Sequence, residues 1–459
     1  MHHLVHKALI RVAAPTRLRL LRQIRSCEGW GEERIRFYQQ ERLRELVRYC
    51  WEHVPFYRSR WRGHIGGPAD IGTIEDMEQL PILSKDELRE ELGALTTTAP
   101  WIKSEPARTG GSTGRPTVFR MTRFDQEAMW AQMYTGWQWA GYRVGDPFLA
   151  VGGESIGVGS GDRRGWKDKI MHRWSTSASN LTLERAKTLA QSPHFQHIRL
   201  MLGYPNAIRE LGELLHQSGA RLPCLKGIVC TAEVMRTEVR ERISALFGGV
   251  AVFDQYGLND GGLLAVEGPE HDGLHLFFHR GILEILDDDN RQISELKRPG
   301  RAVATCFTNL ATPFVRYETG DNVHWHSRNP VPSGIGWPRI GPVDGRTGDL
   351  IFLPSGRSIA MPGLTLVMRW MDGLRQYQFI QTGPNAVTVR LDRGGSFRMS
   401  EEETRAFLKQ RIAQEIDWNV AWVPPELTGN GKVLLIRNDW LRSQGLTRPQ
   451  SAAFDPARP

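Results

Sequence analysis

The sequence predicts an α/β protein: a large N-terminal domain built on mostly parallel sheet, followed by a small α+β domain. Three observations carry that prediction. Helical patterns at 183–191, 205–219 and 236–247 alternate with short apolar runs at 197–202, 225–230 and 250–255, as strand–helix–strand units do. From 274 to 325 the pattern changes to short strands and turns. Beyond Asp349 the chain restarts, with strands near 350–353, 376–381 and 386–391, a helix from Ser400 to Ile416 and a last strand at 433–437. At 459 residues the chain is too long for one ordinary core.

Composition narrows the class. A hydrophobic content of 40% and a charged content of 24% are those of a soluble globular protein. No stretch approaches the ~18 consecutive apolar residues of a membrane-spanning helix. The short apolar run within Met1–Pro15 lacks the cleavage site of a signal peptide. Five scattered cysteines (Cys27, Cys50, Cys224, Cys230, Cys306) fit a reducing cytoplasm better than a disulfide framework. Net charge is +8, and residues 1–62 alone hold 14 Lys and Arg against 6 Asp and Glu, so the whole excess sits in this arm. The arm reads as a solvated basic helical surface, with attraction to an anionic membrane face or another polyanion as the alternative. Without a groove-reading motif, nucleic acid is not an expected partner.

The elements follow in order. Residues 4–25 are weakly amphipathic and interrupted at Pro15. From Arg34 to His53, Ile35, Tyr38, Leu43, Leu46, Val47, Cys50 and Trp51 recur at helical spacing, and Val54-Pro55 ends the run. Ser84 is a candidate N-cap, with Glu87 completing a capping box. Val118–Thr122 alternates like a strand. Asp125 to Tyr142 reads as a helix with Trp130, Met133, Trp137 and Trp139, a stripe read as core with a pocket wall as the alternative. Residues 152–166 form a long glycine-rich loop without the strand and helix that would make it a phosphate cradle.

The chemistry concentrates in Arg108-Thr109-Gly110-Gly111-Ser112-Thr113-Gly114-Arg115-Pro116-Thr117. Glycines let a backbone lie close against a ligand, and successive N–H groups form an anion-binding nest. Hydroxyls and Arg115 add donors and charge, so the loop is suited to nucleotide phosphates. Its spacing is neither that of a Walker loop nor of a dinucleotide fingerprint. An exposed polar turn between two strands would use the same residues. Ligands in open α/β sheets sit beyond the carboxyl ends of strands, where Glu233 and Tyr256-Gly257-Leu258-Asn259-Asp260 fall. Phe314–Asp321 pairs a strand with an acidic turn, Asp344–Asp349 is a second such turn, and Lys432 lies on the glycine-rich turn Thr428–Lys432.

Taken together these motifs resemble the adenylate-forming (acyl/aryl-CoA ligase) superfamily, and within it the phenylacetate–CoA ligase-like and CapK-like branch. Leu46–Tyr57 and the Leu80-Pro81-x-Leu83-x-Lys85 stretch share in the resemblance, which covers nearly the full length. It implies ATP-dependent activation of a carboxylic acid, with an aryl acid favoured, and transfer to coenzyme A. The alternatives are another acyl or AMP acceptor, such as an amine or a carrier protein, and a non-catalytic nucleotide-binding relative. It implies Thr109, Gly110, Gly111, Ser112, Gly114 and Thr117 on the phosphates, with Thr113, Arg115 and Lys432 catalytic. Ala232, Glu233, Tyr256, Gly257, Asn259, Asp321 and Arg346 would hold the rest of the nucleotide, and Asp260 the Mg²⁺. The domains implied are 1–344, a hinge at 345–349 and a mobile 350–459, with a homodimer left open. Two features depart from the family pattern. Asp260 stands where glutamate is usual, and no cysteine lies between Cys230 and Cys306, so zinc is not expected although His275 is kept. A third, milder departure is Gly348, which replaces a frequently acidic hinge residue.

Overall fold

The computed structural model describes residues 2–108, 118–153, 156–158, 165–178, 181–343, 350–355, 358–360, 364, 367–368, 371–427 and 433–444. The chain divides into two compact units, Met1–Thr319 with Val323–Val343, and Gly320–Asn322 with Asp344–Pro459.

The larger unit opens with three helices, α1 (His2–Ala13), α2 (Pro15–Ser26) and α3 (Glu32–His53). The spacing that predicted α3 is the spacing it buries: Ile35, Leu43, Leu46, Val47 and Cys50 all lie inside. The residue before Pro55, Val54, is extended (φ −121°, ψ 103°) and ends the helix as the proline requires. The basic arm is not wholly solvated. Arg17 is buried, with its guanidinium 2.9 Å from Glu127 and 5.1 Å from the centroid of the Trp130 ring.

Strands β1 (Ser104–Arg108) and β2 (Val118–Thr122) pair antiparallel, with Arg108 opposite Val118. The helix Arg123–Trp139 follows directly, the Thr122 side chain accepting from the Asp125 N–H as N-cap. Next come β3 (Phe148–Gly152), β4 (Arg173–Ser177), β5 (Leu200–Gly203), β6 (Gly227–Thr231), β7 (Val252–Gly257), β8 (Leu264–Glu267) and β9 (Leu274–Leu276). β10 (Gly281–Leu286), β11 (Gly300–Cys306) and β12 (Tyr317–Val323) form a separate three-stranded sheet. β13 (Trp325–Ser327) and β14 (Arg339–Ile340) return to the edge of the large one. That sheet has the order β13-β14-β9-β8-β7-β6-β5-β3-β4, with β3 through β7 parallel and the remaining strands antiparallel.

One expectation changes and one holds. The loop after Gly152 does have a strand before it, β3, and a helix after it, Trp166–Met171. Phe148–Val151 is too short an apolar run, wedged between Pro147 and glycine, to stand out in the sequence. The tryptophan stripe is core: Trp137 is fully buried against Tyr142 and Phe148, and Trp139 packs on Phe277 and Trp337.

The smaller unit is a four-stranded sheet, in the order β19-β18-β17-β20, with a helix and a two-stranded hairpin. The hairpin is β15 (Leu350–Phe352) with β16 (Ser358–Ala360), and the sheet is β17 (Leu374–Gln381), β18 (Ala386–Arg393), β19 (Asp417–Ala421) and β20 (Ile436–Asn438). The helix Glu401–Arg411 starts at a Ser400–Glu403 capping box and stops short of the predicted Ile416, because Asp417–Ala421 is already pairing with β18. Phe379, Val389, Leu391, Leu408 and Trp418 fill its core.

Candidate active site

The parallel strands end together. β6 and β7 are paired with Thr231 opposite Gln255, so Ala232 and Tyr256 continue adjacent strands from a shared register. Ala232 turns out of the sheet with φ +69°, a left-handed conformation that costs a non-glycine residue about 1–2 kcal/mol. Glu233 then reaches back to the helix after β5: its Oε2 accepts from the Asn206 backbone N–H at 3.3 Å and from Asn206 Nδ2 at 3.0 Å. Asn206 lies in the first turn of the helix Pro205–Gln217. A carboxylate there meets unpaired N–H groups and the positive end of the helix dipole. Glu233 thus ties the carboxyl end of β6 to the helix that follows β5.

β7 turns into β8 through Leu258–Leu263, closed by the Leu258 N–H donating to the Leu263 carbonyl at 2.9 Å. Gly262 makes the turn fit. Its φ is +70°, and a Cβ there would stand 2.4 Å from Cys306 Sγ on β11. The turn leaves Gly257 and Asn259 exposed and Asp260 buried. Asp260 Oδ2 accepts the hydroxyl of the fully buried Tyr317 at 2.9 Å. Tyr317 opens β12, and Asp321 lies further along the same strand, also buried.

β12 is braced from the N-terminal region. The Leu83 N–H donates to the Arg316 carbonyl and the Glu318 N–H to the Leu83 carbonyl, both at 2.9 Å. The Lys85 ammonium donates to the Thr319 carbonyl. Tyr57 donates its hydroxyl to the Pro313 carbonyl at 2.8 Å and accepts from the Val315 N–H at 3.0 Å. The Leu46–Tyr57 and Leu80–Lys85 stretches therefore hold Pro313–Thr319, the approach to β12 and its first residues. Arg316 enters this strand at φ +50°, buried, with its guanidinium 3.0 Å from Glu284 and donating to the Leu80 carbonyl at 2.6 Å.

Of the predicted site residues, Ala232, Glu233, Tyr256, Gly257, Asn259, Asp260 and Asp321 are described. The structure links Asp260 to Tyr317, the first residue of β12. Thr109, Gly110, Gly111, Ser112, Thr113, Gly114, Arg115, Thr117, Arg346 and Lys432 lie outside the described residues, as does the hinge 345–349. Sequence reasoning missed Asn206 and Tyr317 as partners of site carboxylates. Tyr317 stood inside the quoted Phe314–Asp321 motif, so the motif itself was the signal.

A charged network lies behind β7. Arg240 donates to Glu267 Oε2 at 2.8 Å, and the same oxygen accepts the Asp254 N–H at 2.9 Å. Burial, with Glu267 beside it, pushes the Asp254 carboxyl up to about 7, against the pull of Arg240. Asp254 shares a face of its strand with Tyr256. His275 is buried against Trp139, and desolvation together with Arg339 lowers it to about 4, so it is neutral.

Among the described residues no group of three or more His, Cys, Asp and Glu side chains could hold a metal ion. Asp260 is a buried carboxylate that accepts from Tyr317. That donor set fits Mg²⁺, which keeps its waters and takes one or two carboxylates plus substrate phosphates.

No protein-family model matches the chain. Phenylacetate-coenzyme A ligase of Thermus thermophilus is 26% identical over 337 residues, 71% of this chain and 73% of that protein. Protein CapK of Staphylococcus aureus is 23% identical over 375 residues, 81% of this chain and 80% of that one. The crystal structure of 2-hydroxyisobutyryl-CoA ligase in the postadenylation state, in complex with R3-HIB-AMP, has a TM-score of 0.72 at 19% identity. It covers 91% of this chain and 93% of its own.

Proposed function

We propose, for a chain with phenylacetate–CoA ligases and CapK as relatives and the fold of the adenylate-forming acyl-CoA ligases, that it activates a carboxylic acid with ATP and passes the acyl group to coenzyme A. The acid we favour is an aryl acid. One observation carries the reading. Ala232–Glu233 and Tyr256–Asp260 leave adjacent parallel strands side by side, and Asp260 is hydrogen-bonded to Tyr317, the first residue of β12.

In the first step a carboxylate oxygen of the acid attacks the α-phosphorus of ATP, the bond to the bridging oxygen breaks and pyrophosphate leaves. Backbone N–H groups of Thr109–Thr117 and the Ser112 and Thr117 hydroxyls hold the outer phosphates. Thr113, Arg115 and Lys432 meet the charge that develops. The exposed Ala232 and the half-buried Tyr256 flank the adenine, with Glu233, Gly257 and Asn259 around it. Asp321, an acceptor-only side chain, takes the ribose hydroxyls with Arg346 nearby. Asp260 would hold Mg²⁺ with the phosphates, and the ion supplies charge neutralisation there. In the second step the coenzyme A thiolate attacks the acyl carbon and AMP leaves. Gly345–Asp349 is the hinge in this reading, and residues 350–459 withdraw Lys432 between the steps. A cytoplasmic location goes with it, supported by five free cysteines.

The test is carboxylate-dependent ATP–pyrophosphate exchange over a panel of aryl and aliphatic acids, repeated as product formation with coenzyme A. Exchange with thioester supports the ligase. The second reading is transfer to another acceptor, which exchange without thioester would support. Lys432→Ala should abolish exchange and spare ATP binding, and exchange surviving that change removes Lys432 from the mechanism.

A further inference from the structure

α1 is anchored on one side only. Ile10 is fully buried, and the His6 ring stacks on His172 at 3.7 Å with its Nδ1 3.3 Å from the Ile170 carbonyl. The other side faces solvent with apolar side chains: Leu4, Val5, Leu9 and Val12 are 56%, 57%, 43% and 83% exposed. At helical spacing Val5, Leu9 and Val12 fall within a sector of about 60°, away from Ile10, and Leu4 and Ala8 widen it. A contiguous apolar stripe on a surface helix marks a place that something covers.

The surroundings say what. Through Cys27 the chain carries six Lys and Arg and no Asp or Glu. Lys7 and Arg11 border the stripe, and Arg19, Arg22 and Arg25 are exposed on α2. The helix that α1 packs against begins with Trp166, 67% exposed, with the Lys167 ammonium 5.7 Å from the centroid of its ring. At the other end of α1 the Ala13 carbonyl accepts from Arg123, and the next residue, Phe124, is exposed.

A polyanion alone would not need the aliphatic stripe, and a protein seat alone would not need uniform positive charge. The interfacial layer of a phospholipid bilayer takes both, with aliphatic side chains among the acyl chains, tryptophan at the headgroups and Lys and Arg at the phosphates. Twelve residues of helix are about 18 Å long, too short for a hydrocarbon core of about 30 Å, so α1 would lie in the plane of the surface. We propose that α1, with the exposed cations of α2 and the Trp166 corner, attaches this protein peripherally to an anionic membrane face.

Co-sedimentation of the full chain with lipid vesicles, without substrates, tests this apart from any ligase activity. Vesicles of phosphatidylcholine with phosphatidylglycerol should bind at least about tenfold more protein than phosphatidylcholine alone. Added salt should release it as screening shortens the range of the attraction. Val5→Asp/Val12→Asp changes two exposed positions, so the fold is kept, which circular dichroism checks; vesicle binding should be lost. Lys7→Glu/Arg11→Glu should remove the preference for phosphatidylglycerol. No binding to the anionic vesicles, or binding that Val5→Asp/Val12→Asp leaves intact, overturns the proposal. So does a concentration-dependent dimer, read by light scattering and broken by the same variant, in the absence of vesicle binding. That result would assign the stripe to a second copy of the chain.

Discussion

Gly262→Ala should weaken the larger unit and adenylation together, because this glycine shapes the turn that carries Asp260. Two costs add. The left-handed backbone at φ +70° costs an alanine about 1–2 kcal/mol. The new methyl would stand 2.4 Å from Cys306 Sγ and 2.9 Å from Cys306 Cβ, and Cys306 is itself buried in β11 and cannot swing aside. Forcing a carbon into such a contact costs about 1–3 kcal/mol, so the total is about 2–5 kcal/mol. Gly219 is the control inside the same chain. Its φ is +71° but nothing lies within 4 Å of a Cβ there, so Gly219→Ala should show the backbone cost alone, about 1–2 kcal/mol. Urea unfolding followed by tryptophan fluorescence reads both, since most tryptophans lie in the larger unit. Pyrophosphate exchange is then measured well below each transition. Equal losses in the two variants would mean that the β7–β8 turn does not press on β11, and the position of Asp260 argued from that contact would fall with it. A folded Gly262→Ala protein exchanging at the wild-type rate would remove the turn from the proposed site.

Two further outcomes can be stated. Asp125→Ala leaves the Arg280 guanidinium buried without the carboxylate that now accepts from it at 2.8 and 3.0 Å, and should cost about 3–5 kcal/mol in urea unfolding. A loss below about 1 kcal/mol would mean the pair is solvated. Asp254→Asn tests the charged network behind β7. The folded protein holds a proton on Asp254 up to about 7 that the unfolded chain releases near 3.8, so this group lowers stability as pH rises through that window. The asparagine variant should therefore gain on wild type between about pH 5 and about pH 8, and a difference independent of pH would show that Asp254 ionises normally.

How far the sequence could be read depends on the range of the interactions involved. The runs at 225–230 and 250–255 became β6 and β7 within two residues, because short, mostly apolar runs between turns are a local signal of a central strand. The α3 pattern and the Ser84 cap were equally local. What was hidden is long-range. The Tyr317–Asp260 bond joins residues 57 apart, and Arg17 finds Glu127 across 110. A charge count treats Arg17 as one more solvated cation, whereas the fold sets it in the core beside a carboxylate. β19 was missed for a similar reason: its residues follow a helix with no turn signal, and only pairing with β18 makes them a strand.

Backbone strain gives a separate view of the same region. Among the described residues six non-glycine positions have positive φ: His172, Ala232, His271, Asn290, Lys297 and Arg316. His271, Asn290 and Lys297 lie in connections between strands, and His172 closes a helix. Ala232 and Arg316 are different, because each lies at a strand end that the surroundings hold fixed. Glu233 grips the helix after β5 beside Ala232. Glu284 and the Leu80 carbonyl grip Arg316, one residue before Tyr317. Strain of about 1–3 kcal/mol at a residue persists only where neighbouring contacts over-determine it. Those contacts are an ion pair, a carboxylate on a helix terminus and strand hydrogen bonds, none of which requires a nucleotide. The two strained strand ends are nonetheless the ones that carry Ala232–Glu233 and Tyr317–Asp321, so a rigid backbone is already built where the proposed chemistry needs adenine and ribose held still.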